Sequence, residues 1–209
     1  MVRRMWYIAL AVLLFGVFCI FSYLVHKDVF TSFDFDTTVR IQDHMSRKVD
    51  EFFSTFSLLG SVEVIGVTLL ITVSFGVKKL RRFLILLLFP VFHIVEVIGK
   101  TMIEHPGPPF MFHRYAFQFS FPSSYVNEDF FSYPSGHVGR TAFLVTILIL
   151  IITGRKLSIE RKIGASVLLT SFLLIMMISR IYLGEHWTSD TIGGVLLGSA
   201  FGFAGGVLW

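Results

Sequence analysis

The sequence predicts an all-α membrane protein: a six-transmembrane-helix bundle with an interfacial amphipathic helix and a long outer loop between helices 3 and 4. Three observations carry that prediction. Apolar side chains make up 54% of the 209 residues and charged ones only 15%, with a mean hydropathy of +0.74; soluble domains reach about 45–50% apolar only when glycine is counted in. The apolar residues gather into runs close to the roughly 20 that a helix needs to cross a bilayer. Five of the six prolines fall together between two of those runs. The same composition excludes a disordered chain, which is poor in apolar residues and rich in charge.

The predicted spans are Trp6–Val25, Leu58–Val77, Phe83–Gly99, Gly139–Thr153, Ile163–Ser179 and Thr191–Trp209. The first follows Arg3 and Arg4, is too long for a usual signal-peptide core and lacks an A-x-A-like cleavage site after that core, so it is expected to stay as the first helix. The fourth is short, and its helix is expected to start near Ser135 with a polar first turn. Between the first two spans, Ile41, Met45, Val49, Phe52 and Phe56 recur at helical steps among charged residues, the pattern of a helix lying in the interface. The last span carries Gly194, Gly198, Gly202 and Gly206 at four-residue spacing, a face along which another helix of the same chain can approach closely.

Lysine and arginine mark cytoplasmic connections. Arg3/Arg4, Lys78/Lys79/Arg81/Arg82 and Arg155/Lys156/Arg161/Lys162 occupy alternate connections, which predicts a cell-membrane protein with a cytoplasmic N-terminus and its outer loops on the extracytoplasmic side. The net charge of +4 is therefore a topology signal and not the footprint of a nucleic-acid partner. Cys19 is the one cysteine, so no intrachain disulfide or cysteine-based metal site exists.

The proline-rich connection holds Pro106, Pro108, Pro109, Pro122 and Pro134, and reads as a shaped loop. Its alternating Tyr115, Phe117, Phe119 and Phe121 suit a short strand or, more simply, a hydrophobic lid at headgroup level. Ionisable residues at membrane depth are costly and mark sites by default. His93, Glu96 and Lys100 share one face of the third span; Glu96 reads as the ion-pair partner of Lys100, and His93 as a hydrogen-bonded core histidine.

Two clusters resist a bland explanation. Pro134-Ser135-Gly136-His137, with Arg140 one turn on, places a Pro/Gly turn at a helix N-terminus, where unpaired N–H groups and the dipole seat an anion. Ser179-Arg180, then His186, then Asp190 four residues further, lets a carboxylate reach one imidazole nitrogen while the other faces a cavity. With Lys100, Arg140 and Arg180 nearby, the residues describe a pocket for a tetrahedral oxyanion flanked by two histidines; arginine forks match phosphate oxygens. Using His137, His186 and Asp190 as metal ligands is disfavoured, because three cations would repel a metal ion. No internal repeat supports a transporter.

At these residues the chain resembles the type 2 phosphatidic acid phosphatase superfamily, whose motifs are K-x6-R-P, P-S-G-H and S-R-x5-H-x3-D. The second and third match completely; in the first, Lys100 is followed at the arginine position by Gly107, ahead of Pro108. The resemblance covers about the last half of the chain. It implies a single membrane-embedded phosphatase domain over residues 1–209, with 2–57 as the first span plus interfacial helix and 58–209 as the catalytic core.

The resemblance also implies dephosphorylation of a membrane lipid phosphate without metal or other cofactor. His186 would be the nucleophile, Asp190 its orienting partner and His137 the general acid. Lys100, Ser135, the Gly136 amide and Arg180 would hold the phosphate. Beyond what the resemblance implies, Arg140, or more weakly His105, is the candidate to stand in for the missing guanidinium. Phosphatidic acid, phosphatidylglycerol phosphate and polyprenyl diphosphate all fit as substrates. A weakly active or inactive lipid-phosphate binder, and a lipid phosphotransferase, are the alternatives.

Overall fold

The computed structural model describes residues 2–75, 80–114, 121 and 131–209. The described residues form eight α-helices and no strand: α1 (Val2–His26), α2 (Thr31–His44), α3 (Asp50–Ser57), α4 (Val62–Ser74), α5 (Leu84–Met102), α6 (Gly136–Thr153), α7 (Ile159–Tyr182) and α8 (Thr188–Leu208). Short 3₁₀ turns occupy Arg47–Val49, Leu58–Gly60, Leu80–Phe83 and Phe110–Phe112. Of the helices described, α1, α5, α6, α7 and α8 are long and apolar enough to cross a membrane. A sixth crossing exists only as a bent pair, Arg47–Gly60 with α4, which turns through 51°.

That bend corrects the second predicted span. Regular helix starts at Val62, after Ser61 leaves helical geometry (φ −64°, ψ 157°) and its hydroxyl accepts from Val64 N. Thirteen residues of helix reach about 20 Å, short of a hydrocarbon core about 30 Å thick. The interruption at Gly60 has a use, because its carbonyl accepts from Arg140 Nε at 3.0 Å.

The single interfacial helix is likewise two. The chain is extended at Met45 (φ −111°, ψ 125°), and Tyr182 Oη donates to the Ser46 carbonyl and to the Asp50 carboxylate there. Ile41, Met45 and Val49 do turn inward, around Phe53, Tyr182 and Leu183. After the break the register shifts: Phe53 is buried and Phe52 is 56% exposed. Upstream, α2 starts ten residues before the expected helix and buries a polar row, Asp34, Thr38 and Gln42.

The most extensive helix contact is α6 with α8, followed by α1 with α8. Glycine makes the first possible. A Cβ on Gly198 would collide with the Gly139 carbonyl, one on Gly202 would meet Thr146 Cβ at 2.5 Å, and one on Gly206 would press on Leu150. The glycine stripe therefore docks α8 within the chain, as expected. The lipid-facing surface stays apolar, with Trp6, Val12 and Ile20 exposed along α1.

The basic connections meet at one end of the bundle. Arg3 lies against Gly154 at the α6–α7 turn, and the Arg82 guanidinium stacks over Trp209 at 4.1 Å. At the other end the loops are tied to the end of α7 and the start of α8. Gln42 Nε2 donates to the Phe112 and Tyr182 carbonyls at 2.7 and 2.9 Å, and Trp187 Nε1 donates to the Pro106 carbonyl at 2.8 Å. Lys78, Lys79, Tyr115, Phe117, Phe119, Pro122, Tyr125 and Phe130 lie outside the described residues.

Candidate active site

Two helix N-termini meet at that end. α6 begins at Gly136 with Ser135 as its N-cap, as the short fourth span required. Ser135 does not cap through its side chain; its buried Oγ has no hydrogen-bond partner among the described residues. A donor held in place and left unused is what an incoming anion needs. Ser135 N donates to the Asp190 carbonyl at 3.0 Å, so one backbone bond joins the second motif to the third.

The third motif folds around a glycine. Gly184 has φ +72°, and a Cβ there would collide with the Phe112 carbonyl, so only glycine turns the chain tightly enough at the end of α7. The turn returns Glu185 N and His186 N to the Arg180 carbonyl, at 3.2 and 3.3 Å. His186 Nδ1 then lies 3.3 Å from Asp190 Oδ2, the i,i+4 pair read from the sequence. The same oxygen accepts from Trp187 N at 2.8 Å, so Asp190 also caps its own helix.

His137 sits on the first turn of α6, its ring packed against Gly60 and close to Met176. Both imidazoles lie within electrostatic reach of the same cations, Lys100, Arg140 and Arg180, and of one another. Burial, with those cations adding to it, holds the His186 imidazole well below the usual histidine range. It is neutral at pH 7; Nδ1 faces Asp190, and the Ser132 backbone also hydrogen-bonds the ring.

The cations have distinct partners. Lys100 Nζ donates to the Ser132 carbonyl at 3.4 Å. Arg180 pairs with Glu185, and its buried Nε is unpartnered among the described residues. Arg140 is held by the Gly60 carbonyl and by Glu96, with Nη1 3.3 Å from Oε2. Glu96 thus bonds Arg140, not Lys100 as the helical spacing suggested; the partner comes from another helix. That carboxylate lies against Gly136, where a Cβ would collide with it. His93 Nδ1 bonds the Phe89 carbonyl at 2.8 Å, the core role expected of it.

His105 does not join the cations. Its Nε2 faces Ser189 Oγ at 3.3 Å, Asp190 Oδ1 at 3.6 Å and Asp34 Oδ2 at 3.7 Å. Asp34, which sequence reasoning missed, accepts from Ser189 N at 2.8 Å and Ser189 Oγ at 2.6 Å. Its only signal was a polar row at four-residue spacing on α2, easily taken for a wet face. Gly107 leaves space: a Cβ there would meet Ser132 Cβ at 3.5 Å and the Glu185 carbonyl at 4.0 Å, ordinary contacts.

Fold and site together define an integral membrane protein of helical architecture, with a buried His–Asp pair where two helix N-termini converge. The chain belongs to the PAP2 superfamily, which matches it over residues 79–206. It is 26% identical over 116 residues to phosphatidylglycerophosphatase B of Bacillus subtilis (strain 168), a match covering 55% of this chain and 51% of that one. The chain thus spans about half the length of that curated relative. Its fold is similar to the crystal structure of a transmembrane PAP2-type phosphatidylglycerolphosphate phosphatase from Bacillus subtilis, with a TM-score of 0.74, 23% identity and 93% of each chain covered. It is also similar to Aquifex aeolicus LpxE, with a TM-score of 0.59, 18% identity, and 83% of this chain and 94% of that one covered. The expectation of an all-helical membrane bundle agrees with this fold, with five spans among the described residues, or six if the bent pair is one.

Proposed function

We propose that the protein removes phosphate from a membrane lipid phosphate through a phosphohistidine on His186, without a metal ion. The observation that carries this is the Ser135 N to Asp190 carbonyl bond. It fixes the unused Ser135 hydroxyl beside the His186–Asp190 pair, at a positive helix end. His186 Nε2 attacks phosphorus, and the bond to the lipid oxygen breaks. His137 gives that oxygen its proton, and the free lipid alcohol leaves. Water then attacks the phosphohistidine with His137 taking its proton, the P–N bond breaks, and inorganic phosphate departs.

Asp190 fixes the His186 tautomer and stabilises the positive charge that develops on the ring. Lys100, Arg180, Ser135 Oγ and the Gly136 amide hold the equatorial oxygens, with Arg140 adding charge from its bond to Glu96. Fixed charges aimed at a transition state often supply the largest share of catalysis, and covalent capture divides one hard step into two. Three cations around two imidazoles suit a phosphate and repel a metal ion.

The basic end near Arg3, Arg82 and Gly154 lies opposite the site, which supports a cytoplasmic N-terminus and an extracytoplasmic pocket. A pocket at the membrane rim suits a headgroup phosphate whose tail stays in the bilayer. Phosphatidylglycerol phosphate is the first substrate to try, given the names of the relatives; phosphatidic acid and polyprenyl diphosphate are the comparison. Phosphate release from these lipids in detergent, with His186→Ala as the blank, tests the proposal. Turnover is expected with at least one lipid and none in the variant; undiminished turnover in His186→Ala overturns it.

A further inference from the structure

Behind the Asp190–His186 pair lies a second set of buried polar groups that phosphoryl transfer does not itself use: Asp34 from α2, Ser189 from the first turn of α8, and His105 from the outer loop. They are 1%, 0% and 5% exposed, respectively. Burial of this kind is costly unless every proton has a place.

The protons can be followed. Ser189 N donates to Asp34 Oδ1 at 2.8 Å and Ser189 Oγ donates to Oδ2 at 2.6 Å; an ionised carboxylate only accepts. The Ser189 hydroxyl has then spent its one proton, so toward His105 Nε2, at 3.3 Å, it can only accept. The proton between them belongs to His105. Burial lowers the affinity of this ring for a second proton, so at neutral pH it carries one, on Nε2. The same nitrogen faces Asp190 Oδ1 at 3.6 Å, so its one proton is shared between that oxygen and Ser189 Oγ; the Ser132 hydroxyl, which donates to the His105 carbonyl, also lies by the Asp190 carboxylate. Oδ2, by contrast, serves both His186 and Trp187 N.

We infer that His105 is a positioning residue for the proposed reaction, its Nε2–H tautomer set by Asp34 through Ser189, and that it holds the Asp190 carboxylate by Oδ1 so that Oδ2 stays on His186. This rests on the phosphohistidine function proposed above. The α2 connection, outwardly a cap over the bundle, thereby sets the geometry of the nucleophile.

The test uses purified full-length protein in detergent micelles with phosphatidylglycerol phosphate, reading kcat and KM separately. His105→Ala is expected to lower kcat about tenfold with KM unchanged, as for the loss of one long charge-assisted contact. Asp34→Asn keeps the volume but changes the proton count. Its amide donates to Ser189 Oγ, the serine proton turns to His105 Nε2, and the ring presents an acceptor where a donor is needed. It should therefore match His105→Ala, and the double variant should be no worse than either. His105→Gln supplies an amide donor that has no tautomer, so it should restore most of kcat and make Asp34→Asn harmless.

An unchanged kcat in His105→Ala overturns the inference, as does an Asp34→Asn loss of equal size in the His105→Gln background. Should His105→Ala not fold, the near-isosteric Asp34 and Gln variants decide alone. Turnover retained in His186→Ala instead removes the function on which the inference rests, whatever the His105 variants do.

Discussion

Substituting Gly107→Arg puts a guanidinium at the position where the pattern K-x6-R-P carries arginine, and the structure allows its effect to be sized. Gly107 is exposed and does not need a glycine-only backbone angle; a Cβ there makes only ordinary contacts, with Ser132 and the Glu185 carbonyl. Both neighbours touch cations of the candidate site, since the Ser132 carbonyl receives Lys100 Nζ and Glu185 pairs with Arg180. A hydrogen bond to a charged group contributes about 1.5–3 kcal/mol. Immobilising a long side chain costs about 0.5–1.5 kcal/mol, and an exposed site takes the lower part of the range. About 1 kcal/mol remains, a roughly fivefold gain in kcat/KM, expected mainly in KM. Phosphate release from phosphatidylglycerol phosphate in mixed micelles reads it, with Gly107→Ala as the control for shape. Arginine and alanine variants that behave alike would refute the reasoning and show that the anion seat is already full.

Acid limb, packing and cation effects give further checks. Since His186 must be neutral to attack and burial with the neighbouring cations holds its imidazole well below the usual histidine range, the acid limb that it sets on kcat/KM should lie well below pH 6.5. Lys100 is one of the cations that disfavour the proton on His186, so Lys100→Met should move that limb upward; a limb that stays in place speaks against their proximity. Gly198→Val drives a side chain into the Gly139 carbonyl. Overpacking of this kind costs about 1–3 kcal/mol or more, and a thermal midpoint in detergent equal to that of the parent would contradict the α6–α8 contact. Gly136→Ala forces the Glu96 carboxylate and Arg140 away from the α6 N-terminus; it should lower phosphate release far more than Gly164→Ala, whose Cβ meets nothing within 4 Å.

What the sequence disclosed of the site was whatever short-range spacing determines. Asp190 reaches His186 because residues four apart share a helix face, and Ser135 starts α6 because a Pro/Gly turn feeds a helix there. Glu96 shows where that logic ends: its spacing from Lys100 is right for a pair, but Arg140 on a neighbouring helix is the partner found. Asp34 was hidden for the same reason, since its worth lies in Ser189, far along the chain. The fold was legible in the same uneven way. Long apolar runs marked five helices, whereas the breaks at Gly60 and Met45 depend on tertiary bonds to Arg140 and Tyr182 that no periodicity records.

The most direct test of the central claim is to mix enzyme with a lipid phosphate carrying labelled phosphorus, quench within a turnover at alkaline pH, where phosphohistidine survives, and locate the label by peptide mass spectrometry. The label is predicted on His186, and absent from His186→Ala. Label on another residue, or brisk phosphate release by the wild-type protein with no labelled histidine at any quench time, would contradict it.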